Sequence, residues 1–239
     1  MKTMLVTGAT SGIGRAFTLH AARQGYHVIA CGRNEEALSE LASESNITTA
    51  KFDLTDLDAT RTAIAPLQFD IAVLNAGNCE YVDVDKFEPD MFRRVFEINF
   101  FGIIHSVDAL LPKLKKGDQL VIVDSMARLI PFTRTEAYGA SKAAVHYFTK
   151  SLDVDLAEKG IIVQSVSPGF VETPLTDKND FDMPMKITAE EAAKAMLDGI
   201  EKQKKSLFFP SGFGWIMRTL HNLPAGIQRW LSLKMRQQQ

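Results

Sequence analysis

Thr7-Gly8-Ala9-Thr10-Ser11-Gly12-Ile13-Gly14 is the stretch that decides the fold of this chain. It follows a short apolar run at residues 4–6 and opens a segment with helical character from Ile13 to about Arg23. A strand, a glycine-rich turn and a helix in this order form a phosphate-binding unit, because glycines let the backbone turn tightly and approach a pyrophosphate. The free N–H groups at the helix N-terminus then face the anion. The stretch therefore predicts a dinucleotide-binding fold rather than a plain turn.

Length and composition are those of an ordinary globular protein. The 239 residues suffice for one large domain, and the net charge of -2 gives no reason to expect nucleic acid or an acidic partner. Two cysteines are too few for a disulfide framework, which favours a reducing compartment; Cys79 reads as an incidental small residue in a loop. The first candidate strand begins at residue 4, so we expect no signal peptide before the domain. No apolar run approaches the roughly 20 residues of a membrane-spanning helix. We therefore expect a soluble, cytoplasmic protein.

Apolar runs alternate with helical patterns along the whole chain. The candidate strands are residues 4–7, 27–31, 48–52, 71–74, 119–123, 162–166 and 207–209. The candidate helices are residues 13–24, 35–44, 57–66, 89–114, 137–159 and 189–202. This alternation predicts a parallel sheet covered on both faces, and right-handed crossovers restrict its topology to a doubly wound arrangement. We predict one α/β domain of the Rossmann type over residues 1–239, with seven parallel strands and helices on both faces.

The residues after the second candidate strand bear on the choice of cofactor. Folds that bind NAD often place a carboxylate here for the ribose diol, whereas this chain has Gly32 and Arg33 and no carboxylate before Glu35. A guanidinium suits a 2′-phosphate, so NADP (NADPH) is favoured and NAD is the less favoured alternative. Arg33 could instead only start the next helix. Arg15, beside the glycine turn, could add positive charge or be a solvated helix residue.

Further polar and small residues follow later strands. Asp53 follows the third strand and is either an adenine contact or part of a helix start, where Thr55 or Asp56 caps the next helix. The tripeptide Asn75-Ala76-Gly77 follows the fourth strand, and its small residues let a flat nucleotide lie against the backbone. Asn99 is a polar residue within an otherwise apolar helix. Because a buried amide must be hydrogen-bonded, Asn99 is either a structural bridge or part of a site.

Tyr138 and Lys142 lie one helical turn apart, so their side chains point to the same face of a predicted helix. A phenol has an ordinary pKa of about 10, and a nearby ammonium lowers it because it favours the phenolate. Such a tyrosine can exchange a proton with a carbonyl or alcohol oxygen, and Ser125, at the end of the fifth strand, could hydrogen-bond the same oxygen. A Tyr-x-x-x-Lys pattern alone could be a chance surface pair. Together with the strand-end serine and the glycine turn, it favours a catalytic site.

In their order and context these residues resemble the classical type of the short-chain dehydrogenase/reductase (SDR) family over residues 4 to about 209. The matching marks are residues 7–14, Asn75-Ala76-Gly77, Asn99, Ser125, Tyr138, Lys142, Ser167-Pro168-Gly169 and Thr173. The resemblance implies that Tyr138 is the general acid/base and that Ser125 orients the substrate oxygen. It also implies that Lys142 holds the nicotinamide ribose and depresses the Tyr138 pKa. Asn99 would fix Lys142 through a water-linked proton relay.

The resemblance also implies the cofactor contacts, with no metal. They are Gly8, Thr10, Ser11, Gly12, Ile13, Gly14, Arg33, Asp53, Leu54, Asn75, Ala76, Gly77, Tyr138, Lys142, Pro168, Gly169, Val171 and Thr173. Two departures from the family pattern remove no catalytic group: Leu74 stands where a second asparagine is often found, and Met126-Ala127-Arg128 replaces a run of small residues. Arg128 could meet an anionic substrate, but a solvated loop arginine is the expectation.

Two segments bear on the substrate and on partners. Residues 174–188 correspond to a mobile substrate lid in the family, and their apolar members Leu175, Phe181, Met183 and Met185 suggest a hydrophobic carbonyl substrate, or ordinary packing. From Lys202 onward the chain has no Asp or Glu, and residues 210–239 form a basic amphipathic extension that Pro224 should break into two helical pieces. The extension could pack on its own domain, close the substrate site, join two subunits, or contact an anionic membrane peripherally.

Three hypotheses for function follow. The first is an NADP(H)-dependent oxidoreductase that moves hydride between the nicotinamide and a carbonyl or alcohol carbon, with reduction as the physiological direction. The alternative is a non-catalytic or weakly catalytic NADP-binding regulator, which has no need of the full serine, tyrosine, lysine and asparagine set. A nucleotide-sugar epimerase or dehydratase of the extended type would need a larger C-terminal domain. Helices 89–114 and 137–159, which pair across a dimer interface in the family, predict a homo-oligomer, either a dimer or a tetramer.

Overall fold

All seven predicted strands join one parallel sheet in this computed structural model, which describes residues 1–177 and 182–236. The strands are β1 Thr3–Thr7, β2 His27–Gly32, β3 Ile47–Lys51, β4 Ile71–Leu74, β5 Gln119–Val123, β6 Ile162–Pro168 and β7 Ser206–Phe209. Their order is β3-β2-β1-β4-β5-β6-β7, and every neighbouring pair is parallel. The chain therefore winds outward from β1 in one direction and from β4 in the other, which confirms the predicted doubly wound sheet.

Helices cover both faces of this sheet. They are α1 Gly12–Arg23, α2 Glu35–Ala42, α3 Leu57–Ile64, α4 Pro89–Phe96, α5 Gly102–Leu110, α6 Glu136–Ala157, α7 Ala189–Glu201, α8 Ser211–His221 and α9 Ala225–Arg236. Successive strand side chains alternate between the faces, so Met4 and Val6 of β1 pack with α1, α2 and α7, whereas Leu5 packs with α3, α5 and α6. The two apolar layers hold the strand ends in register, and the carboxyl ends of the strands meet at one edge.

Side-chain caps explain where several helices begin. Asn34 Oδ1 accepts a hydrogen bond from the Ala37 N–H at the start of α2, and Asp56 Oδ1 accepts one from the Ala59 N–H at the start of α3. Each satisfies a backbone donor that the first helical turn leaves free. Asp56, rather than Thr55, therefore caps α3.

The predicted helix 89–114 is present as a continuous helical segment, Pro89–Lys113, but it is not α-helical throughout. A π-helical turn, Glu97–Phe101, separates α4 from α5, and a 3₁₀ turn, Leu111–Lys113, ends the segment. Such π turns shift the following side chains around the helix axis and often mark functional positions. Pro89–Lys113 is long and apolar enough to cross a membrane by length and composition, but it contributes buried side chains, including Ile103 and Val107, to the core.

Pro224 breaks the C-terminal extension as predicted, because α8 ends at His221 and α9 begins at Ala225. Phe213 and Met217 of α8 are buried against Met126, Leu129 and Ile130. One side of α8 thus belongs to the body of the protein. Residues 178–181 of the predicted lid, which include Phe181, lie outside the described residues.

Candidate active site

The glycine turn connects β1 to the N-terminus of α1 and has the geometry that a bound anion requires. Gly8 and Gly12 adopt positive φ angles of 66° and 51°, which a residue with a side chain rarely adopts. A Cβ on Gly8 would lie 2.8 Å from Ala76 Cα, so the turn packs directly on the end of β4. The Ser11 side chain makes no capping bond, and the first turn of α1 has no acidic residue. The positive end of the α1 dipole is therefore left for a negatively charged ligand.

A cleft of about 510 Å³ runs along the carboxyl ends of the strands, from the glycine turn to the end of β6. It is lined by nearly all of the predicted cofactor contacts: Gly8, Thr10, Ser11, Gly12, Ile13, Arg33, Asp53, Leu54, Asn75, Ala76, Gly77, Tyr138, Lys142, Pro168, Gly169, Val171 and Thr173. Gly14 is not part of this lining, and a Cβ there would lie 2.1 Å from the Gly8 carbonyl oxygen and 2.5 Å from Asn75 Nδ2. Gly14 thus acts by close packing of α1 on the turn.

At the β2 end of the cleft, Arg33 and Asp53 form an ion pair with Nη1 3.1 Å from Oδ2. The other carboxylate oxygen of Asp53 accepts hydrogen bonds from the N–H and hydroxyl of Thr55. Gly32 supplies no carboxylate for a ribose diol, and a Cβ there would lie 2.7 Å from Thr10 Cγ2, so a larger residue would require the Thr10 side chain to shift. Arg15 instead pairs with Glu40 of α2 at 3.2 Å and lies outside the lining, in agreement with a surface residue of the helix.

At the opposite end of the cleft, Ser125, Tyr138 and Lys142 come together as the sequence predicts. Ser125 lies two residues after the end of β5, where its Oγ accepts a hydrogen bond from the Ala127 N–H at 3.1 Å. Its hydroxyl is also a hydrogen-bond partner of the Tyr138 phenol. The Lys142 ammonium lies 5.9 Å from the centroid of the Tyr138 ring and donates to the Val123 carbonyl at 3.1 Å. The end of β5 and one face of α6 therefore position the three groups.

The electrostatics of this cluster differ from the expectation that Lys142 lowers the Tyr138 pKa. Burial raises the pKa of Tyr138 above its ordinary value, and this effect exceeds the lowering caused by the Ser125 hydrogen bond. Burial also lowers the pKa of Lys142 to about 8, since the charged amine is taken out of water. In the protein alone, burial thus favours a protonated phenol, and the neutral amine forms at lower pH than usual.

The depressed pKa of Lys142 makes a prediction about stability. The pKa of Lys142 is about 8 in the folded protein and 10.5 in the unfolded chain. Between these pH values the unfolded state binds more protons at this residue, so burial of Lys142 costs less free energy as the pH rises. Tyr138 opposes this trend only above its ordinary pKa of 10.0. We expect the free energy of unfolding of the wild type to rise between pH 8 and 10 relative to that of Lys142→Met. Urea unfolding at several pH values measures both; parallel pH profiles would contradict the assignment.

Asn99 lies in the π-helical turn and is fully buried. Its Nδ2 donates to the Asn78 carbonyl at 2.9 Å and to Ser141 Oγ at 3.0 Å, and its Oδ1 accepts from the Asn78 N–H at 2.7 Å. A Cβ on Gly77 would lie 3.1 Å from Asn99 Oδ1 and 3.3 Å from Lys142 Nζ, so both groups face the same small space. Through these hydrogen bonds Asn99 bridges the loop that follows β4 and helix α6, directly beside Lys142.

An apolar cavity of about 110 Å³ adjoins the cleft. Its walls come from four segments of the chain and include Cys79, Tyr81, Met126, Phe132, Phe170, Phe213 and Met217. Ser125 and Tyr138 line both the cavity and the cleft. Cys79 is therefore not an incidental loop residue, although burial raises the pKa of its thiol to about 11 and leaves it unreactive. Sequence patterns did not reveal Phe213 and Met217, because they lie about 90 residues from Ser125.

Behind Ser125, a buried network centres on Asp124. Its Oδ2 accepts hydrogen bonds from Ser165 Oγ at 2.9 Å and from His146 Nδ1 at 2.7 Å, and its Oδ1 accepts one from Ser167 Oγ. Arg128 Nε lies 3.3 Å from Asp124 Oδ2, as an ion pair rather than a well-aligned hydrogen bond. The Arg128 side chain is only 8% exposed, so the expectation of a solvated loop arginine was wrong. This ion pair ties the turn after Ser125 to the end of β5.

Comparisons with known proteins agree with this geometry. A relative from Mediterraneibacter gnavus named 3beta-hydroxysteroid dehydrogenase is 37% identical over 223 residues, which cover 86% of this chain and 78% of the relative. An uncharacterized oxidoreductase of Staphylococcus epidermidis is 34% identical over 206 residues, which cover 82% of this chain and 89% of its own. The closed form of serine dehydrogenase complexed with NADP+ superposes with a TM-score of 0.79 at 26% identity, covering 87% of this chain and 94% of that one.

The family itself follows from a more extensive match. The model of the family described as short chain dehydrogenase matches residues 2–184, from the start of the glycine-turn unit through Tyr138 and Lys142 to the segment after β6. The chain belongs to the short-chain dehydrogenase family of oxidoreductases.

Proposed function

We propose that this protein is an NADP(H)-dependent reductase that interconverts a carbonyl and an alcohol on an apolar substrate, with Tyr138 as the general acid/base. The observation that carries the proposal is the position of Ser125 and Tyr138, whose side chains line both the cleft and the apolar cavity. A substrate oxygen placed between these two hydroxyls would lie where the two spaces meet. This arrangement supports chemistry between a nucleotide cofactor and an apolar molecule.

Each side chain then has a defined part in carbonyl reduction. NADPH supplies the hydride when it is bound. Tyr138, whose phenol is protonated at neutral pH, donates its proton to the substrate oxygen. Ser125 donates a hydrogen bond to the same oxygen and stabilises the negative charge that develops on it. Lys142, with a pKa of about 8, can gain and lose a proton near neutral pH and would hold the nicotinamide ribose.

The hydrogen bonds of Asn99 support the same site. Its bonds to Asn78 and Ser141 hold the wall of the cleft that faces Lys142. Because Asn99 Oδ1 and Lys142 Nζ face the same space beside Gly77, we place Asn99 at the start of the water-linked proton relay that the family resemblance implies. The relay would restore the Tyr138 proton after each turnover.

We propose NADP rather than NAD as the cofactor because of the residues at the end of β2. Gly32 offers no carboxylate to a ribose diol, and the Arg33 side chain is 62% exposed beside the cleft despite its ion pair with Asp53. Its remaining N–H donors are available to a 2′-phosphate, while Asp53 remains a candidate adenine contact. The solved NADP+ complex of serine dehydrogenase is consistent with this choice.

Replacement of Arg33 tests the cofactor preference. Arg33→Ala should weaken NADPH binding by roughly 10- to 100-fold, the worth of a hydrogen bond to a charged group, and leave NADH binding nearly unchanged. Fluorescence titration of each nucleotide measures both dissociation constants. Arg15→Ala is the matched control, since Arg15 lies near the same turn but outside the cleft lining. Equal losses for NADPH and NADH would contradict the assignment.

The substrate class is proposed from the walls of the cavity. Phe132, Phe170, Phe213 and Met217 offer apolar surface and little hydrogen bonding, so affinity would come from burial of hydrocarbon. The relative named 3beta-hydroxysteroid dehydrogenase makes steroids one apolar class worth including. NADPH oxidation followed by absorbance, against hydrophobic ketones, aldehydes, diketones, quinones and 3-ketosteroids, tests the proposal. Turnover of apolar carbonyls supports it, whereas turnover restricted to small polar carbonyls would contradict it.

The domain, the substrate lid, the oligomer and the location of the protein are the subject of further proposals. We propose one domain over residues 1–239, with residues 174–188 as a lid over the substrate; Leu175 and Thr176 line both the cleft and the cavity, in keeping with such a lid. We also propose a homo-oligomer, a dimer or a tetramer, paired through the helices at 89–114 and 137–159. Tyr147 and Val154 of α6 are large, apolar and well exposed, as such an interface needs. A cytoplasmic location is proposed for the assembly.

A further inference from the structure

The C-terminal helix pair, Ser211–Arg236, exposes a concentration of large apolar side chains. Trp215 is 74% exposed and Trp230 53% exposed, and they are the two tryptophans of the whole chain. Ile216, Ile227 and Leu233 are also exposed. A soluble surface seldom leaves so many aromatic and branched side chains in water within one short segment, so the helix pair has the character of a docking surface.

These exposed side chains are held on a fixed support. Phe213 and Met217, on the opposite side of α8, are buried in the wall of the apolar cavity. The ring nitrogen Nδ1 of His221 is hydrogen-bonded to the Leu129 carbonyl at 2.6 Å, and Gln228 Nε2 donates to the His221 carbonyl at 2.9 Å. Met235 of α9 packs on the same cluster as Phe213. The helix pair is therefore anchored by one side and presents the other to its surroundings.

The charge of the segment has one sign. From Ser211 to the C-terminus the chain holds four of its 27 basic residues and none of its 29 acidic residues, so the preceding part is net negative. The cations lie among the aromatic rings: Lys234 Nζ is 4.2 Å from the centroid of the Trp230 ring, and the Arg218 guanidinium is 5.2 Å from that of Phe208. Arg229 is exposed beside Trp230. A partner for this surface must be both apolar and negatively charged.

An anionic lipid bilayer meets both requirements. Tryptophans favour the boundary between headgroups and acyl chains, branched aliphatic side chains enter the hydrocarbon, and lysine and arginine pair with anionic headgroups. A second copy of this chain fits less well, because a two-fold interface would bring the basic surface against itself. A nucleic acid would leave the isoleucines and the leucine without a partner, since they offer no ring for base stacking.

We propose that the C-terminal helix pair binds peripherally to an anionic membrane surface, with Trp215 and Trp230 in the headgroup region. The proposal is independent of the reaction proposed above, because it depends only on the outer surface of α8 and α9. It places the protein on the membrane rather than across it.

The two tryptophans make the test specific, because all tryptophan fluorescence comes from the proposed surface. The full-length protein is mixed with vesicles of phosphatidylcholine containing phosphatidylglycerol, or of phosphatidylcholine alone, and bound protein is separated by flotation. We expect binding to the anionic vesicles, a blue shift of tryptophan emission, quenching by brominated lipid, and loss of binding at high salt. Trp215→Phe and Trp230→Phe each leave one reporter, which shows whether both helices enter the interface.

Variants separate the apolar and the charged contributions. The double change Trp215→Ser and Trp230→Ser should abolish flotation, whereas Phe87→Ser, an exposed aromatic of another surface, should not. The double variant Arg229→Gln, Lys234→Gln loses two positive charges and should bind anionic vesicles roughly 25-fold more weakly. Failure of the wild type to float, or flotation with unchanged tryptophan emission, would overturn the proposal. Self-association of the protein alone that the double serine variant abolishes would overturn it in favour of a second copy.

Discussion

Tyr138→Phe is expected to lower turnover by about 10²- to 10⁴-fold, the usual worth of a positioned general acid, while NADPH still binds with unchanged affinity. Phenylalanine preserves the ring, which packs near Lys142, and removes only the hydroxyl that Ser125 hydrogen-bonds. The substrate oxygen then has no proton donor at the junction of the cleft and the cavity. Steady-state kinetics with the best substrate of the panel, together with fluorescence titration of NADPH, measures both quantities.

Tyr147→Phe is the matched control for this experiment. Tyr147 lies on the same helix, α6, but its side chain is 77% exposed and lies outside both the cleft and the cavity. The control should keep full turnover. If Tyr138→Phe also kept full turnover, the proton would have to come from another group, and the proposed mechanism would be wrong.

Arg128→Ala is expected to lower the free energy of unfolding by about 3 kcal/mol or more, because it leaves the Asp124 carboxylate buried without its cationic partner. Three hydrogen bonds from Ser165, Ser167 and His146 would remain at Asp124, but none replaces the permanent charge of the guanidinium. The midpoint and the slope of urea unfolding measure the loss. Arg93→Ala, which breaks an exposed ion pair with Asp90, is the control and should change stability little.

A second substitution separates the effect of charge from that of lost packing. Asp124→Asn removes the buried negative charge, so in the Asp124→Asn, Arg128→Ala double variant the guanidinium no longer has a charge to compensate. We expect the double variant to lose much less stability than the sum of the two single losses. Strictly additive losses would show that Arg128 contributes by packing alone and that the ion pair is not what holds the turn after Ser125.

The parts of the fold that local patterns encode were predictable. The sheet follows from apolar runs of strand length separated by helical periods, and the glycine turn follows from residues 7–14, which contact one another within a single turn. Tyr138 and Lys142 share a face because helical spacing requires it. In each case the information lies within a few residues of the chain.

Features that depend on distant contacts were not predictable. Arg128 is buried only because Asp124 and Ser167, the latter 39 residues away, receive its guanidinium. The π-helical turn around Asn99 arises where the side chain bonds Asn78 and Ser141, and no local signal in an apolar helix marks it. The pKa of Tyr138 is raised because the folded chain buries its phenol. The spacing of Tyr138 and Lys142 in the sequence does not reveal this burial. Phe213 and Met217 reach the cavity only through the path of the C-terminal helices.

Transfer of a deuterium label from the nicotinamide to the product tests whether this protein reduces a carbonyl with Tyr138 as the proton donor. NADPH carrying deuterium at both C4 positions of the nicotinamide is incubated with the protein and a turned-over carbonyl substrate, and mass spectrometry locates the label in the product. We expect an alcohol with one deuterium on the carbinol carbon to be formed by the wild type and by Tyr147→Phe, and almost none to be formed by Tyr138→Phe. Product without deuterium on that carbon, or equal labelling with Tyr138→Phe, would contradict the account.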